Sequence, residues 1–213
     1  HPRQKVRNFI PDYTLKKTKS FGIKSFLAIT KGCNNNCSFC VVPSTRGGEV
    51  SREPENIISE AKNLISTGSK EICLLGQNVN SYNAKDTSFV ELLKSLDKLH
   101  NLERLRFISP HPKDFNEDLA DAFVDLQSLC EHMHLPLQSG SNRILNRMRR
   151  LYTIETFFEK VDLLRDRVPS VTLSTDLIVG FPGETDEEFE MTIEAIRKVR
   201  FDFIYSFKYS QRP

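Results

Sequence analysis

Six short β-rich runs separated by amphipathic helical stretches occupy the chain from Phe21 onward, and that alternation sets the class of fold. The runs are Ser25–Thr30, Glu71–Leu75, Arg104–Ile108, Glu131–Leu137, Thr172–Val179 and Phe203–Tyr209. The helical stretches cover 54–67, 88–98, 116–127, 141–149 with 153–166, and 185–199. Strands that alternate with helices bury both faces of a parallel sheet through right-handed crossovers. The expected class is therefore α/β. Periodicity alone does not separate an open doubly wound sheet from a partial barrel. In either, ligands lie at the carboxyl ends of the strands.

Helix boundaries are written locally. Pro54 suits a first helical turn. Ser88 with Glu91, and Thr185 with Glu188, read as capping boxes in which a hydroxyl and a glutamate three residues later satisfy each other's backbone donors. Gly68 closes one helix, and Gly180-Phe181-Pro182-Gly183 makes a tight strand-to-helix turn. In the last helix Phe189, Ile193, Ile196 and Val199 recur at helical spacing and predict one buried stripe.

With 213 residues and a 38% hydrophobic fraction, the chain can fill a sizeable core, which excludes disorder as its main state. No apolar run approaches the roughly 18 residues of a membrane helix, so a soluble, cytoplasmic protein without a membrane partner is expected. A net charge of +2 excludes a polyelectrolyte. The charge is uneven, however: residues 1–31 hold eight Lys/Arg against the single acid Asp12, and 176–194 hold seven acids and no base. Residues 1–20 read as a linker from a further domain, and residues 21–213 as one core domain. A first residue His1 and an ending directly after an aromatic run give the expectation of a piece of a longer protein.

Chemistry concentrates in three of the five cysteines, Cys33-Asn-Asn-Asn-Cys37-Ser-Phe-Cys40, on the loop after the first strand. Gly32 and the asparagines allow a sharply bent backbone there. A structural zinc needs four ligands, and no fourth is local. Cys73 and Cys130 lie isolated in apolar runs, as small buried hydrophobes do. A four-iron cluster normally takes four thiolates; three would leave one iron open to an exchangeable ligand. An iron–sulfur cluster, zinc and unligated thiols all remain admissible on spacing alone.

Cys-x3-Cys-x2-Cys with Phe39 before the third cysteine resembles the cluster motif of radical S-adenosylmethionine (SAM) enzymes. Flanking segments narrow the resemblance: Thr30-Lys-Gly-Cys33, Val41-Val-Pro43, Thr45 to Arg52, Leu74 to Asn80, His134 to Ser141 and Asp176 to Thr185. Together they resemble the MiaB-type tRNA methylthiotransferases, over essentially the whole chain from Tyr13 to Pro213. The resemblance implies a partial (β/α)6 barrel with a parallel six-stranded sheet. It implies a 4Fe-4S cluster on Cys33, Cys37 and Cys40, with SAM chelating the open iron through its amino and carboxylate groups. Reductive cleavage of SAM would then yield a 5′-deoxyadenosyl radical that abstracts hydrogen. The implied substrate is isopentenylated adenosine beside the anticodon, in the tRNA anticodon stem-loop, which receives a methylthio group. The implied electron donor is a flavodoxin or ferredoxin.

Several marked residues fit that scheme or an ordinary structural role. Gln77 and Asn78 end the second strand, where the superfamily touches the SAM amino group, or they form a plain polar turn. Phe39 shields the cluster or contacts adenine, or caps the core. Ser109, Gln138 and Ser139, at strand ends, are candidates for SAM or substrate contacts. Asp176, in an apolar strand, needs either a ribose hydroxyl or an internal hydrogen bond. Arg143, Arg147, Arg149 and Arg150 form a solvated helical face, or else meet a SAM carboxylate or tRNA phosphates; Arg46 and Arg52 share that ambiguity. His111 and His134 read as structural histidines, and the acids from Glu184 to Glu190 as complements of a helix amino terminus.

Relatives of this type also carry an amino-terminal domain with three cysteines for a second cluster and a small RNA-binding domain; neither is expected in these residues. Leu151 stands where relatives often have Gly. The runner-up substrates are a ribosomal protein and threonylcarbamoyladenosine in tRNA. From a different class, the alternative is a non-catalytic zinc-stabilised RNA-binding module.

Overall fold

In a computed structural model the described residues are 22–212; the segment 1–20 read as a linker lies outside them. They form two compact units. The first contains the chain up to Asn35, Val42–Pro110 and Ala122–Cys130, and the second contains Asn36–Val41, His111–Asp121 and the chain from Glu131.

In the first unit β1 (Lys24–Ala28) and β2 (Thr30–Lys31) precede α1 (Val42–Arg46), β3 (Val50–Ser51) and α2 (Pro54–Ser66). Then follow β4 (Glu71–Leu75), a small hairpin of β5 (Asn83–Ala84) and β6 (Thr87–Ser88), α3 (Phe89–Asp97) and β7 (Arg104–Phe107). The strands β1-β4-β7 make a parallel three-stranded sheet in that order, each crossover advancing one strand. Its helix-covered side is apolar: Leu27, Ile72, Leu74 and Leu105 of the strands, Ile57 and Ala61 of α2, and Leu92 and Leu96 of α3 are all fully buried. Phe89 packs edge-on against Phe107. On the other side of the sheet, Glu71 gathers Lys24, Arg104 and Arg106.

The helix α4 (Glu117–Asp125) leads to the second unit's sheet, which is β8 (His132–His134), β9 (Thr172–Val179) and β10 (Phe203–Lys208), again parallel and in the order β10-β9-β8. Helices α5 (Asn142–Arg147), α6 (Ile154–Arg167) and α7 (Asp186–Val199) connect these strands. Met133, Leu173 and Leu177 of the sheet and Phe157, Val161 and Leu164 of α6 are buried. All six residues of the edge strand β10 are exposed.

All six expected strands are present, though the fourth shrinks to His132–His134, followed by an isolated bridge between Gln138 and Leu177. The chain therefore forms two three-stranded parallel sheets in an α/β arrangement. Both capping boxes form as expected. One expectation is corrected: the buried stripe of α7 is Glu188, Thr192, Ala195 and Val199, with Phe189, Ile193 and Ile196 half-buried beside it. Close packing is the reason. A Cβ on Gly140 would lie 2.4 Å from the Met191 carbonyl oxygen, and the Gly140 N–H donates to Thr192 Oγ1 at 2.9 Å. Beside Gly140 that face carries the hydrogen-bonded Thr192. Among the described residues no helix is long and apolar enough to cross a membrane.

Candidate functional site

In the first unit the site begins at the carboxyl end of β1. Gly32, the residue before the first motif cysteine, adopts φ +78°, and a Cβ there would lie 2.1 Å from the Gly48 carbonyl oxygen. Only glycine allows the Gly47-Gly48 strand to close over the loop, where Cys33 N–H donates to the Gly47 carbonyl at 3.2 Å. The short antiparallel pairing of β2 with β3 holds the same return. Gln77, just after β4, accepts from the Gly32 N–H at 2.7 Å through Oε1. Its side-chain oxygen is thus committed to positioning the cysteine loop. Asn78 is buried, and the N–H of Val79 that follows it donates to the carbonyl of Ser109 at 3.1 Å. Ser109 has a left-handed backbone, φ +62°. Three loops at the carboxyl ends of β1, β4 and β7 are therefore tied together in this unit, carrying Cys33, Gln77, Asn78 and Ser109.

In the second unit Cys37 is buried and Cys40 exposed; none of the five cysteines is in a disulfide. The segment is latched to the end of α5. Ser38 donates its N–H to the Met148 carbonyl at 3.1 Å and its hydroxyl to the Arg147 carbonyl at 2.8 Å. Phe39 packs against Ile144, Met148 and Phe181, beside Ile178 and Tyr209. Phe39 is thus part of an apolar wall adjoining the two cysteines.

Arg150 is the residue that pattern reading misplaced. It is 4% exposed, not solvated. Nη1 donates to Cys37 Sγ at 3.4 Å, Nε to the Tyr152 hydroxyl at 3.0 Å, and Nη2 to the Pro136 carbonyl at 3.2 Å. Helix α5 ends at Arg147 rather than at 149, so Arg150 leaves the helical period that would have pointed it outward. Arg149 and Leu151 on either side both adopt left-handed backbones, φ +56° and +57°. Arg143 is engaged too: Nε donates to Glu188 Oε1 at 2.7 Å. Arg52, buried in the first unit, pairs with Glu60 at 2.7 Å and donates to the Ala28 carbonyl. Both therefore have internal partners, and Arg46 is exposed.

Gln138 is buried in a left-handed conformation, φ +72°, and extends the sheet: its N–H donates to the Asp176 carbonyl at 2.8 Å and its carbonyl accepts from Ile178. Ser139 is fully buried. Asp176 has an internal partner, His134 Nε2 at 3.2 Å from Oδ2. The other nitrogen of that ring meets Ser174 Oγ at 3.0 Å. Glu184 accepts from the N–H groups of Gly180 and Phe181, so the acidic stretch does complement backbone donors.

Electrostatics follow burial. His111 accepts from the Lys113 N–H, and its pKa is driven down to about 2, first by burial and then by the nearby charges of Arg150, Lys113 and Lys160. Burial raises the Cys73 and Cys130 thiols, as expected of inert core cysteines.

Do these residues suit an iron–sulfur cluster? Among the described residues no three His, Cys, Asp or Glu side chains gather closely enough for a single metal ion. The donor chemistry does suit a cluster. Cys33 Sγ accepts from the Asn35 N–H at 3.4 Å, Cys37 Sγ accepts from Arg150, and an apolar wall adjoins. Hydrogen bonds to sulfur and exclusion of solvent are the means by which proteins tune clusters.

Comparison with known proteins agrees. The family model of the radical SAM superfamily matches residues 27–196. A tRNA-2-methylthio-N(6)-dimethylallyladenosine synthase of Thermoanaerobacter sp. (strain X514) is 47% identical over 210 residues, 97% of this chain and 44% of that protein. A protein of the same name from Syntrophus aciditrophicus (strain SB) is 51% identical over 193 residues, 89% of this chain and 42% of that one. The chain thus spans less than half the length of these relatives. Among solved structures, the radical SAM methyltransferase TsrM of Kitasatospora setae, with cobalamin and a [4Fe-4S] cluster bound, superposes with a TM-score of 0.72. That likeness covers 88% of this chain and 37% of TsrM at 20% identity, and it speaks to the fold alone.

Proposed function

The chain belongs to the radical SAM superfamily, and from that membership we propose that it is the radical SAM core of a tRNA methylthiotransferase. The proposed reaction converts isopentenylated adenosine next to the anticodon into its 2-methylthio derivative. One observation carries this reading: 47% to 51% identity, across 89% to 97% of the chain, with relatives bearing that synthase name. Because the chain spans under half of those relatives, both the complete reaction and tRNA as its substrate are part of the proposal. The proposed fold is the partial (β/α)6 barrel, supported by the two three-stranded parallel sheets and by the 0.72 TM-score to TsrM.

Cys33, Cys37 and Cys40 would hold a 4Fe-4S cluster, and SAM would take the iron they leave open. When bound, the cluster supplies the electron that cleaves SAM reductively, chemistry no side chain performs. The chain's own residues position and shield. Gly32 and Gln77 fix the backbone that carries Cys33. The Ser38 latch fixes Cys37 and Cys40 against α5. Phe39, with Ile144, Met148 and Phe181, keeps water from one side. Asn78, Ser109 and Gln138 are proposed to line the SAM position. In this reading the electron donor is a flavodoxin or ferredoxin, and the protein works in the cytoplasm.

The test is anaerobic reconstitution of the chain with iron and sulfide, reduction, and measurement of 5′-deoxyadenosine formed from SAM. Formation in the intact protein and its loss in Cys33→Ala, Cys37→Ala or Cys40→Ala is expected. An iron-loaded, reduced protein that leaves SAM uncleaved would contradict the reading.

A further inference from the structure

Arg150 is a buried cation without an acidic partner. Its three hydrogen bonds run to Tyr152, the Pro136 carbonyl and Cys37, and among the described residues no ion pair joins it to a carboxylate. A buried charge left uncompensated is strongly destabilising, so such a group needs an anion. The charged groups acting on His111 beside it are Arg150 itself, Lys113 and Lys160, all cations. Tyr152 fixes the guanidinium, since its hydroxyl also donates toward the Pro136 and Leu137 carbonyls at 2.9 and 3.0 Å. Left-handed residues on both sides turn the chain to deliver Arg150 inward. Such strain persists only where surrounding structure holds it in place.

We propose that Arg150 is the counter-cation of the iron–sulfur cluster, donating to the sulfur of Cys37 and stabilising the reduced form. The inference rests on the cluster reading above and deepens it. A 4Fe-4S cluster on three thiolates carries net negative charge that deepens by one on reduction, so a fixed cation at one sulfur favours the reduced form. Arg150 is thus a positioning and tuning residue; it acts through Cys37 rather than on substrate.

The experiment is a redox titration of the reconstituted 213-residue protein, followed by electron paramagnetic resonance (EPR). Arg150→Met and Arg150→Gln are expected to shift the cluster to lower potential with iron content retained, and Arg150→Lys, which keeps the charge, to restore most of the shift. An unchanged potential in both neutral variants overturns the inference while leaving the cluster reading intact; a wild-type protein that assembles no cluster overturns both. Should the variants fail to fold, wild-type protein labelled with 15N-arginine decides the matter. A guanidinium nitrogen coupled to the reduced cluster in pulsed EPR supports the inference, and absence of that coupling overturns it.

Discussion

Single residues carry the clearest consequences of the backbone around the cysteines. Leu151 stands in the left-handed region at φ +57° and is 74% exposed, so its side chain gains nothing from packing to offset the strain. That conformation costs an L-residue roughly 1–2 kcal/mol; glycine relieves the strain, and the added freedom of the unfolded glycine chain offsets part of that gain. Leu151→Gly is expected to stabilise the protein by about 0.5–1 kcal/mol, read as a higher urea midpoint at constant slope. His111 gives a pH signature. Its folded pKa of about 2 lies far below the unfolded 6.5. Only the unfolded chain therefore takes up a proton as pH falls, and stability is full above 6.5 and declines below it. The decline is about 1.4 kcal/mol per pH unit at most. Urea denaturation at pH 7.5 and pH 5 should show it in wild type, and His111→Asn should flatten it. Of these residues, the spacing singles out Cys33, Cys37 and Cys40 as candidate ligands. Arg150 was not legible, because the sequence offers four arginines at helix-like intervals and does not mark where α5 stops.

At the scale of elements, start signals were the most legible part of the fold, because each is a local exchange of hydrogen bonds. Thr185 and Glu188 form their box as written, yet Glu188 does more than cap. Its carboxylate also meets Arg143 and the Ser141 hydroxyl, joining the first turn of α7 to α5. The Arg143 guanidinium foremost, against the opposing effect of burial, holds its pKa near 2, below the ordinary 4.5. Its stabilisation is therefore full above pH 4.5 and is lost as pH falls toward 2, so it adds to the loss from His111 only in the lower part of that residue's range, which begins at 6.5. Glu188→Gln is expected to cost on the order of 2 kcal/mol at pH 7 and to lower the thermal midpoint. Thr185→Ala, which loses the cap alone, should cost about 1 kcal/mol. The buried face of α7 was misread because hydrophobic periodicity registers apolar side chains. It does not register a backbone approaching Gly140 so closely that a threonine and a paired glutamate fit better than isoleucine.

For the whole molecule, the alternation of strand and helix runs was enough to foresee the parallel strands and to direct attention to their carboxyl ends. Gln77, Asn78 and Ser109 are tied into loops at those ends, and Asp176 pairs through Oδ2 with His134. Periodicity could not show how six strands divide into sheets, since strand order depends on contacts between residues far apart in the chain. The central proposal is that Cys33, Cys37 and Cys40 together hold a four-iron cluster with one iron open to SAM. The most direct measurement is the EPR spectrum of the reduced, reconstituted protein before and after adding SAM. The account predicts a single 4Fe-4S signal per chain whose line shape changes on addition of SAM, and loss of the signal when any of the three cysteines becomes alanine. A cluster signal indifferent to SAM, or one that survives replacement of Cys37, would contradict it.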